Sequence, residues 1–320
     1  MKNFLEKKVY IAGHNGMVGS AIWRGLKAEG VTELVGLSSK ELDLRNQSDV
    51  MDFFSTEKPD IVIDAAAKVG GILANQSFPY GFLMDNLMIQ NNLIDCALKN
   101  NVETFIFLGS SCVYPRLSVQ PIKEEYLLTG SLEPTNESYA IAKIAGIKAC
   151  EALFLTLNKN FFSLMPSNLY GPNDNFDFES SHVLPALIRK FHDSKSNGNQ
   201  PVKLWGSGVP RREFLHVDDL ASAVLFTLQN KVKRSLINVG TGTDISIKDL
   251  ASLVQGIIGH KGDVTWDFSK PDGTPRKVMS HSILQGMGWE PKIRLNEGIK
   301  ETYRWYLHNE ENIKCVQMAN

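Results

Sequence analysis

Tyr139 and Lys143 stand four residues apart in the run Tyr139-Ala140-Ile141-Ala142-Lys143, and Ser110, Ser111 and Cys112 follow an apolar run that ends at Gly109. On a helix, a spacing of four puts two side chains on one face. The Lys143 ammonium is therefore expected beside the Tyr139 phenol, favouring its phenolate. A free phenol ionises near pH ~10, and a cationic neighbour brings it into range as a proton donor or acceptor near neutrality. Ser110 is placed to hydrogen-bond the same substrate oxygen. The tyrosine and lysine alone also fit a solvated helix face, so the elements around them have to decide.

The start of the chain supplies one such element. Val9-Tyr10-Ile11-Ala12 reads as a buried strand, and Gly13-His14-Asn15-Gly16-Met17-Val18-Gly19 runs from it directly into the helical stretch Ser20-Ala21-Ile22-Trp23. Gly13 permits the tight turn, Gly16 lets backbone approach a pyrophosphate and Gly19 lets helix pack on strand, while the helix N-terminus offers amides to the anion. This is the strand, turn, helix order of a dinucleotide site. The next apolar strand, Leu34-Val35-Gly36-Leu37, ends in Ser38-Ser39-Lys40, where an NAD site would place an acid against the ribose. With no carboxylate at that tip, Ser39 and Lys40 suit a 2′-phosphate, so the expected cofactor is NADP(H).

At 320 residues the chain has enough length for two lobes. A net charge of −1 gives no general attraction to nucleic acid or to an anionic membrane, so any phosphate site has to be local. Cys96, Cys112, Cys150 and Cys315 form no C-x-x-C pair, which points to neither a zinc site nor a disulfide framework. The cytoplasm is the expected compartment. Met1 to Lys8 carries no apolar signal core, and no apolar run is long enough to span a bilayer.

Helical and strand patterns alternate: Ser48 to Glu57, Ile61-Val62-Ile63, about Tyr80 to Lys99, Thr104 to Leu108, about Ser138 to Leu155, and Phe161 to Met165. Such alternation predicts a Rossmann-type α/β fold, a doubly wound parallel sheet whose ligands gather at the carboxyl ends of the strands. Gly13, Ala65 to Gly71, Ser110 to Cys112 and Ser167-Asn168 all fall there. Past Gly171-Pro172 the pattern loosens, Leu215-His216-Val217 opens another helix, and Leu236 to Val239 reads as a strand returning to the sheet. Ser194 to Asn199 has loop composition. The expected domains are 1–171 with about 215–240, and a smaller discontinuous lobe of 172–214 with about 241–320.

In order along the chain stand Gly13 to Gly19, Ala65-Ala66-Ala67-Lys68-Val69-Gly70-Gly71, Leu108 to Pro115, Glu133-Pro134-Thr135-Asn136, Tyr139 to Lys143, Leu169 to Phe176, Ser181-His182-Val183 and Lys270-Pro271-Asp272-Gly273. This series resembles the extended short-chain dehydrogenase/reductases, and among them the GDP-L-fucose synthase family, over nearly the whole length. The resemblance implies a bifunctional enzyme that epimerises carbons 3 and 5 of GDP-4-keto-6-deoxy-D-mannose and then reduces carbon 4 with NADPH. It implies Ser110, Tyr139 and Lys143 as the reductase set, and Cys112 and His182 as the pair that removes and returns protons, with the direction of each left open. It places Leu108, Gly109, Ser110, Lys143, Pro166, Asn168, Leu169 and His182 along the cofactor, and Lys190, Trp205, Arg212 and Asp272 on the nucleotide sugar. Arg211 is an alternative to Arg212, and Trp205 also fits a core position. Extended reductases commonly pair through the helices corresponding to Tyr80 to Lys99 and Ser138 to Leu155, which implies a homodimer.

Asn15 and Ser39 stand where bacterial relatives often carry arginine, leaving Lys40 as the nearby cation unless Arg24 or Arg45 folds in, and a weaker preference for NADPH. Two other readings stand beside this one. One is a reductase for a different GDP-4-keto sugar such as a heptose. The other is a silent dinucleotide-binding module, against which the full set Ser110, Cys112, Tyr139, Lys143 and His182 argues.

Overall fold

The computed structural model describes residues 4–178, 180–270 and 272–312. Met1 to Asn3, Pro271 and Cys315, all named above, lie outside them. Six strands form one parallel sheet: β1 (Val9–Ala12), β2 (Leu34–Val35), β3 (Ile61–Asp64), β4 (Thr104–Leu108), β5 (Asn160–Pro166) and β10 (Leu236–Val239), in the order β10-β5-β4-β3-β1-β2. Their near-continuous apolar runs follow from burial on both faces. α1 (Met17–Ala28) and α7 (Val217–Gln229) cover one face; α2 (Gln47–Glu57), α4 (Pro79–Lys99) and α5 (Glu137–Leu157) cover the other, with the short α3 (Ile72–Ser77) leading into α4. The expected doubly wound α/β fold is what forms. The strand order reverses between β1 and β3, so the crevice of such a sheet opens at their carboxyl ends.

Local chemistry sets several boundaries. Asn46 caps α2 by accepting from the amides of Ser48 and Asp49, and Lys58 ends it at φ 48°. β2 stops at Val35, two residues short of the sequence reading, and the next residue, Gly36, packs so closely on the His14 ring that a Cβ there would come within 2.5 Å of it. Leu215 and His216 belong to a strand rather than opening the helix: β9 (Phe214–His216) pairs in parallel with β6 (Asn168–Tyr170), and His216 Nδ1 then accepts from the Asp218 amide to cap α7. Ser194 to Ser196 complete α6 (Val183–Ser196), so that loop begins only at Asn197.

The second layer of structure sits over the carboxyl ends. It contains a parallel pair, β7 (Val202–Trp205) with β12 (Val264–Asp267), and a three-stranded sheet in which β8 (Arg211–Arg212) lies between β11 (Ile245–Ser246) and β13 (Arg276–Lys277). α6, α8 (Ile247–Ile258) and α10 (Leu295–Asn309) enclose a separate apolar core around Phe176, Phe191 and Tyr306. α9 (Ser282–Met287) returns to the main sheet, where Leu284 and Trp289 pack among the side chains of α7. Among the described residues no helix is long and apolar enough to cross a membrane.

Candidate active site

A cleft of about 420 Å³ opens between the sheet ends and the smaller strands. Ser110, Cys112, Tyr139, Asn168, Leu169, His182, Lys190, Trp205, Arg212 and Asp272 all line it. Ser110 stands two residues past the end of β4 and its hydroxyl caps the turn Ser111–Val113, accepting from the Cys112 amide at 3.4 Å. The same hydroxyl opposes the upward push of burial on both the Tyr139 phenol and the Cys112 thiol. One short side chain at a strand end thus ties the phenol on α5 to the thiol on the turn.

Lys143 is not the partner that the helical spacing suggests. Its ammonium turns inward, donates to the Leu108 carbonyl at 2.9 Å and sits 4.5 Å over the Phe107 ring. Sharing a helix face with Tyr139 does not put the two groups in contact when one of them reaches under the end of a strand. Burial pushes the Tyr139 phenol well above its ordinary value, and Cys112 and Asp64 push it further against the opposing Ser110 hydrogen bond. Burial thus opposes the expected phenolate. Burial also lowers Lys143, opposed by Asp64, Cys112 and Cys150.

The facing wall carries cations by register. In the parallel pairing of β8 with β13, Arg212 stands beside Lys277 and Arg211 beside Arg276. Alternation sends the two members of each strand to opposite faces. Arg211 and Arg276 both bind Asp244 on the outside, whereas Arg212 and Lys277 face the cleft. Arg212, not Arg211, is thus the arginine at the site. Burial raises the Cys112 thiol, and Lys277 is the first group opposing that. His182, at the N-cap of α6, opens onto the cleft; desolvation by the cleft walls and then Lys277 hold its imidazole below the ordinary range.

Trp205 is half exposed rather than core, with the Lys190 and Lys270 ammonium groups 5.6 and 5.4 Å from its ring centroid. Both Asp272 carboxylate oxygens accept from Ser207, its amide and its hydroxyl at 2.7 Å each, so this side chain also closes the loop after β7.

At the other end of the crevice the backbone fits a dinucleotide diphosphate. Gly13 adopts φ +76°, a Cβ at Gly19 would collide with the Gly13 carbonyl, and Gly16 begins α1 with no side chain capping it. Met17 and Val18 form the first turn, with Asn15 exposed beside it. Past β2, the Glu41 carboxylate folds back to accept from the Ser38 amide and hydroxyl, each at 2.7 Å. A carboxylate does stand at this tip, engaged in closing the turn. Arg24 pairs with Asp218 at 2.7 Å, and Arg45 with Asp43 and Asp85 at 2.9 and 3.5 Å, so neither folds in. Ser39 and Lys40 are exposed there. Leu108 and Pro166 end β4 and β5 between the two halves of the crevice, and Gly109 follows β4 directly.

Sequence reasoning missed Lys277 and Asp64. The only local trace of Lys277 is a lone basic pair, Arg276-Lys277, just beyond the Lys270 to Gly273 motif. Asp64 is the residue before the Ala65 to Gly71 stretch and reads as the end of a strand.

A glycine turn opening a helix, joined by one parallel sheet to a serine and a tyrosine on a cleft and a lysine buried beneath it, defines a nicotinamide-dinucleotide enzyme of the short-chain type. The chain belongs to the NAD dependent epimerase/dehydratase family, whose model matches residues 9–240. It is similar to GDP-L-fucose synthase 1 of Arabidopsis thaliana, 54% identical over 94% of this chain and 94% of that protein. It is 48% identical to GDP-L-fucose synthase of Escherichia coli K12, over 97% and 99% of the two. Among solved structures, a GDP-D-glycero-L-gluco-heptose synthase from Campylobacter jejuni in the presence of NADPH matches with a TM-score of 0.88 at 39% identity, covering 96% of this chain and 99% of that one.

Proposed function

We propose that this chain converts GDP-4-keto-6-deoxy-D-mannose to GDP-L-fucose, epimerising carbons 3 and 5 and then reducing carbon 4. The observation that carries the reading is the company of Ser110 and Tyr139. A reductase needs only donors at the carbonyl oxygen, yet this cleft adds a thiol, Cys112, and an imidazole, His182, both under the influence of the Lys277 ammonium. A ketone at carbon 4 acidifies the hydrogens on both neighbouring carbons, because the resulting enolate rests its charge on the ketone oxygen. Ser110 and Tyr139 hydrogen-bond that oxygen and stabilise the charge as an oxyanion hole does. Cys112 and His182 remove and return the protons, which a single phenol cannot do on both sides of the ring.

NADPH, when bound, supplies the hydride to carbon 4. Tyr139, which burial keeps protonated, then gives its proton to the new alkoxide. Lys143 would hold the nicotinamide ribose, and the stretch Pro166 to Leu169 would line the ring. The Gly13 to Gly19 turn would carry the diphosphate, while Ser39 and Lys40 would meet the 2′-phosphate with no guanidinium to help, so the preference over NADH would be modest. Arg212 and Lys190 neutralise the GDP diphosphate, Trp205 offers an aromatic face, and Asp272 orders the loop beside it. The chain also forms a homodimer through α4 and α5, whose outer faces expose Tyr80, Met88 and Ile141. Sedimentation equilibrium checks this, a monomer at micromolar concentration counting against it.

Incubation with GDP-4-keto-6-deoxy-D-mannose and NADPH, followed by product analysis by NMR, tests the activity. GDP-L-fucose is the expected product. A 4-alcohol with unchanged configuration at carbons 3 and 5 would mark a simple reductase instead.

A further inference from the structure

The last residue of β3 is a carboxylic acid where its neighbours in the sheet are apolar. Asp64 is fully buried; its Oδ1 accepts from the Ala66 amide at 3.1 Å, and its Oδ2 has no hydrogen-bond partner. Leaving a buried carboxylate oxygen unmatched is costly unless an opposite charge lies close by. Register says which one does. Ala12, Asp64, Phe107 and Ser163 are successive partners across β1, β3, β4 and β5, so their side chains point to one face of the sheet. That is the face α5 packs against: the Lys143 ammonium sits over the Phe107 ring, and the same ring fills the space where a Cβ on Gly146 would be. Asp64, one strand over from Phe107, therefore directs its carboxyl into the compartment that holds Lys143.

We propose that Asp64 is the counter-ion of Lys143, a positioning residue that keeps the ammonium charged and in place beneath the site. The inference rests on the role given to Lys143 above. The other titratable groups facing this compartment are Tyr10 on β1, Cys112 on the turn after β4, and Tyr139 and Cys150 on α5. Burial raises all four, so they are neutral near pH 7. Asp64, pushed up only to about 6, is the one anion among them. Its charge offsets the desolvation that would otherwise strip the Lys143 proton. Asp64 also raises the Tyr139 phenol through space, so the unfolding cycle below reads its pairing with Lys143 separately from any effect on Tyr139.

Asp64→Asn keeps the shape and removes the charge. The basic limb of the kcat profile for NADPH-dependent reduction should move to lower pH by about one unit or more, with KM for the GDP-sugar unchanged. A limb that stays where it is overturns the proposal. A second measurement needs neither substrate nor cofactor: urea midpoints at pH 8 for Asp64→Asn, Lys143→Met and the double variant. Neutralising Asp64 should raise the midpoint more in the Lys143→Met background than in the native one, and rescue of an unfolded Lys143→Met chain by Asp64→Asn counts as the same result. Equal increments in both backgrounds contradict the pairing. If the chain reduced no GDP-4-keto sugar at all, the proposed function would fall, while this unfolding cycle would still decide the fate of Asp64.

Discussion

In the proposed reaction Tyr139 acts as an acid, a role that its burial favours more than its helical neighbour does. Ser110 lowers the phenol by hydrogen bonding, burial raises it more, and the balance leaves a protonated donor aimed at the cleft. Tyr139→Phe should lower hydride transfer by roughly 10²–10⁴-fold while leaving GDP affinity, read by calorimetry, nearly unchanged. Cys112→Ser should slow proton exchange at carbons 3 and 5 more than reduction of an already epimerised sugar, with both rates followed by NMR; equal losses would make Cys112 a packing residue. Ser110 and Tyr139 stood out in the sequence by their runs at a strand end and a helix start, Cys112 and His182 only through the family resemblance, and all four line one cleft. The inward turn of Lys143 was not legible there, since a four-residue spacing specifies a face and says nothing of how far a long side chain reaches beneath the neighbouring strand.

Strand pairing, rather than sequence proximity, brings the cations to the cleft. Lys277 lies far along the chain from Cys112 and His182, and only the parallel register of β13 with β8 sets it beside Arg212 on the inner face. Two-residue strands leave too short a pattern to read, so the sequence offered a basic pair without showing which member points inward. Lys277→Gln should raise the Cys112 thiol further and slow carbon 3 and carbon 5 exchange by about tenfold or more, measured at neutral pH. The glycine turn, by contrast, was legible because its spacing is its function. Gly19→Ala places a methyl group against the Gly13 carbonyl, so it should abolish cofactor binding by fluorescence titration even if the chain still folds.

The two layers of the molecule are sewn together at Glu213. Its buried carboxylate, on the link between β8 and β9, accepts from the amides of Thr241 and Gly242 beyond β10 and of Met279 beyond β13. Burial nonetheless raises it from 4.5 to about 7. Because the folded value lies above the unfolded one, the associated stability is complete below about 4.5 and is lost as pH rises through about 7. The unfolding free energy of Glu213→Gln, relative to the native chain, should therefore shift in favour of the variant by roughly 3 kcal/mol between those limits. Chemical denaturation at pH 5 and pH 8 checks it. The alternating α/β pattern made the large sheet legible from sequence. The smaller sheets were not, because their strands come from distant segments and are held by buried polar contacts such as this one.

The account depends on one polarised ketone oxygen serving both halves of the reaction. Native enzyme incubated in heavy water with GDP-4-keto-6-deoxy-D-mannose and no nucleotide cofactor should introduce deuterium at carbons 3 and 5, seen by NMR as loss of those proton signals, and Ser110→Ala should suppress this together with reduction. Carbons 3 and 5 that keep their protons in the native enzyme, while NADPH is still consumed, would contradict it.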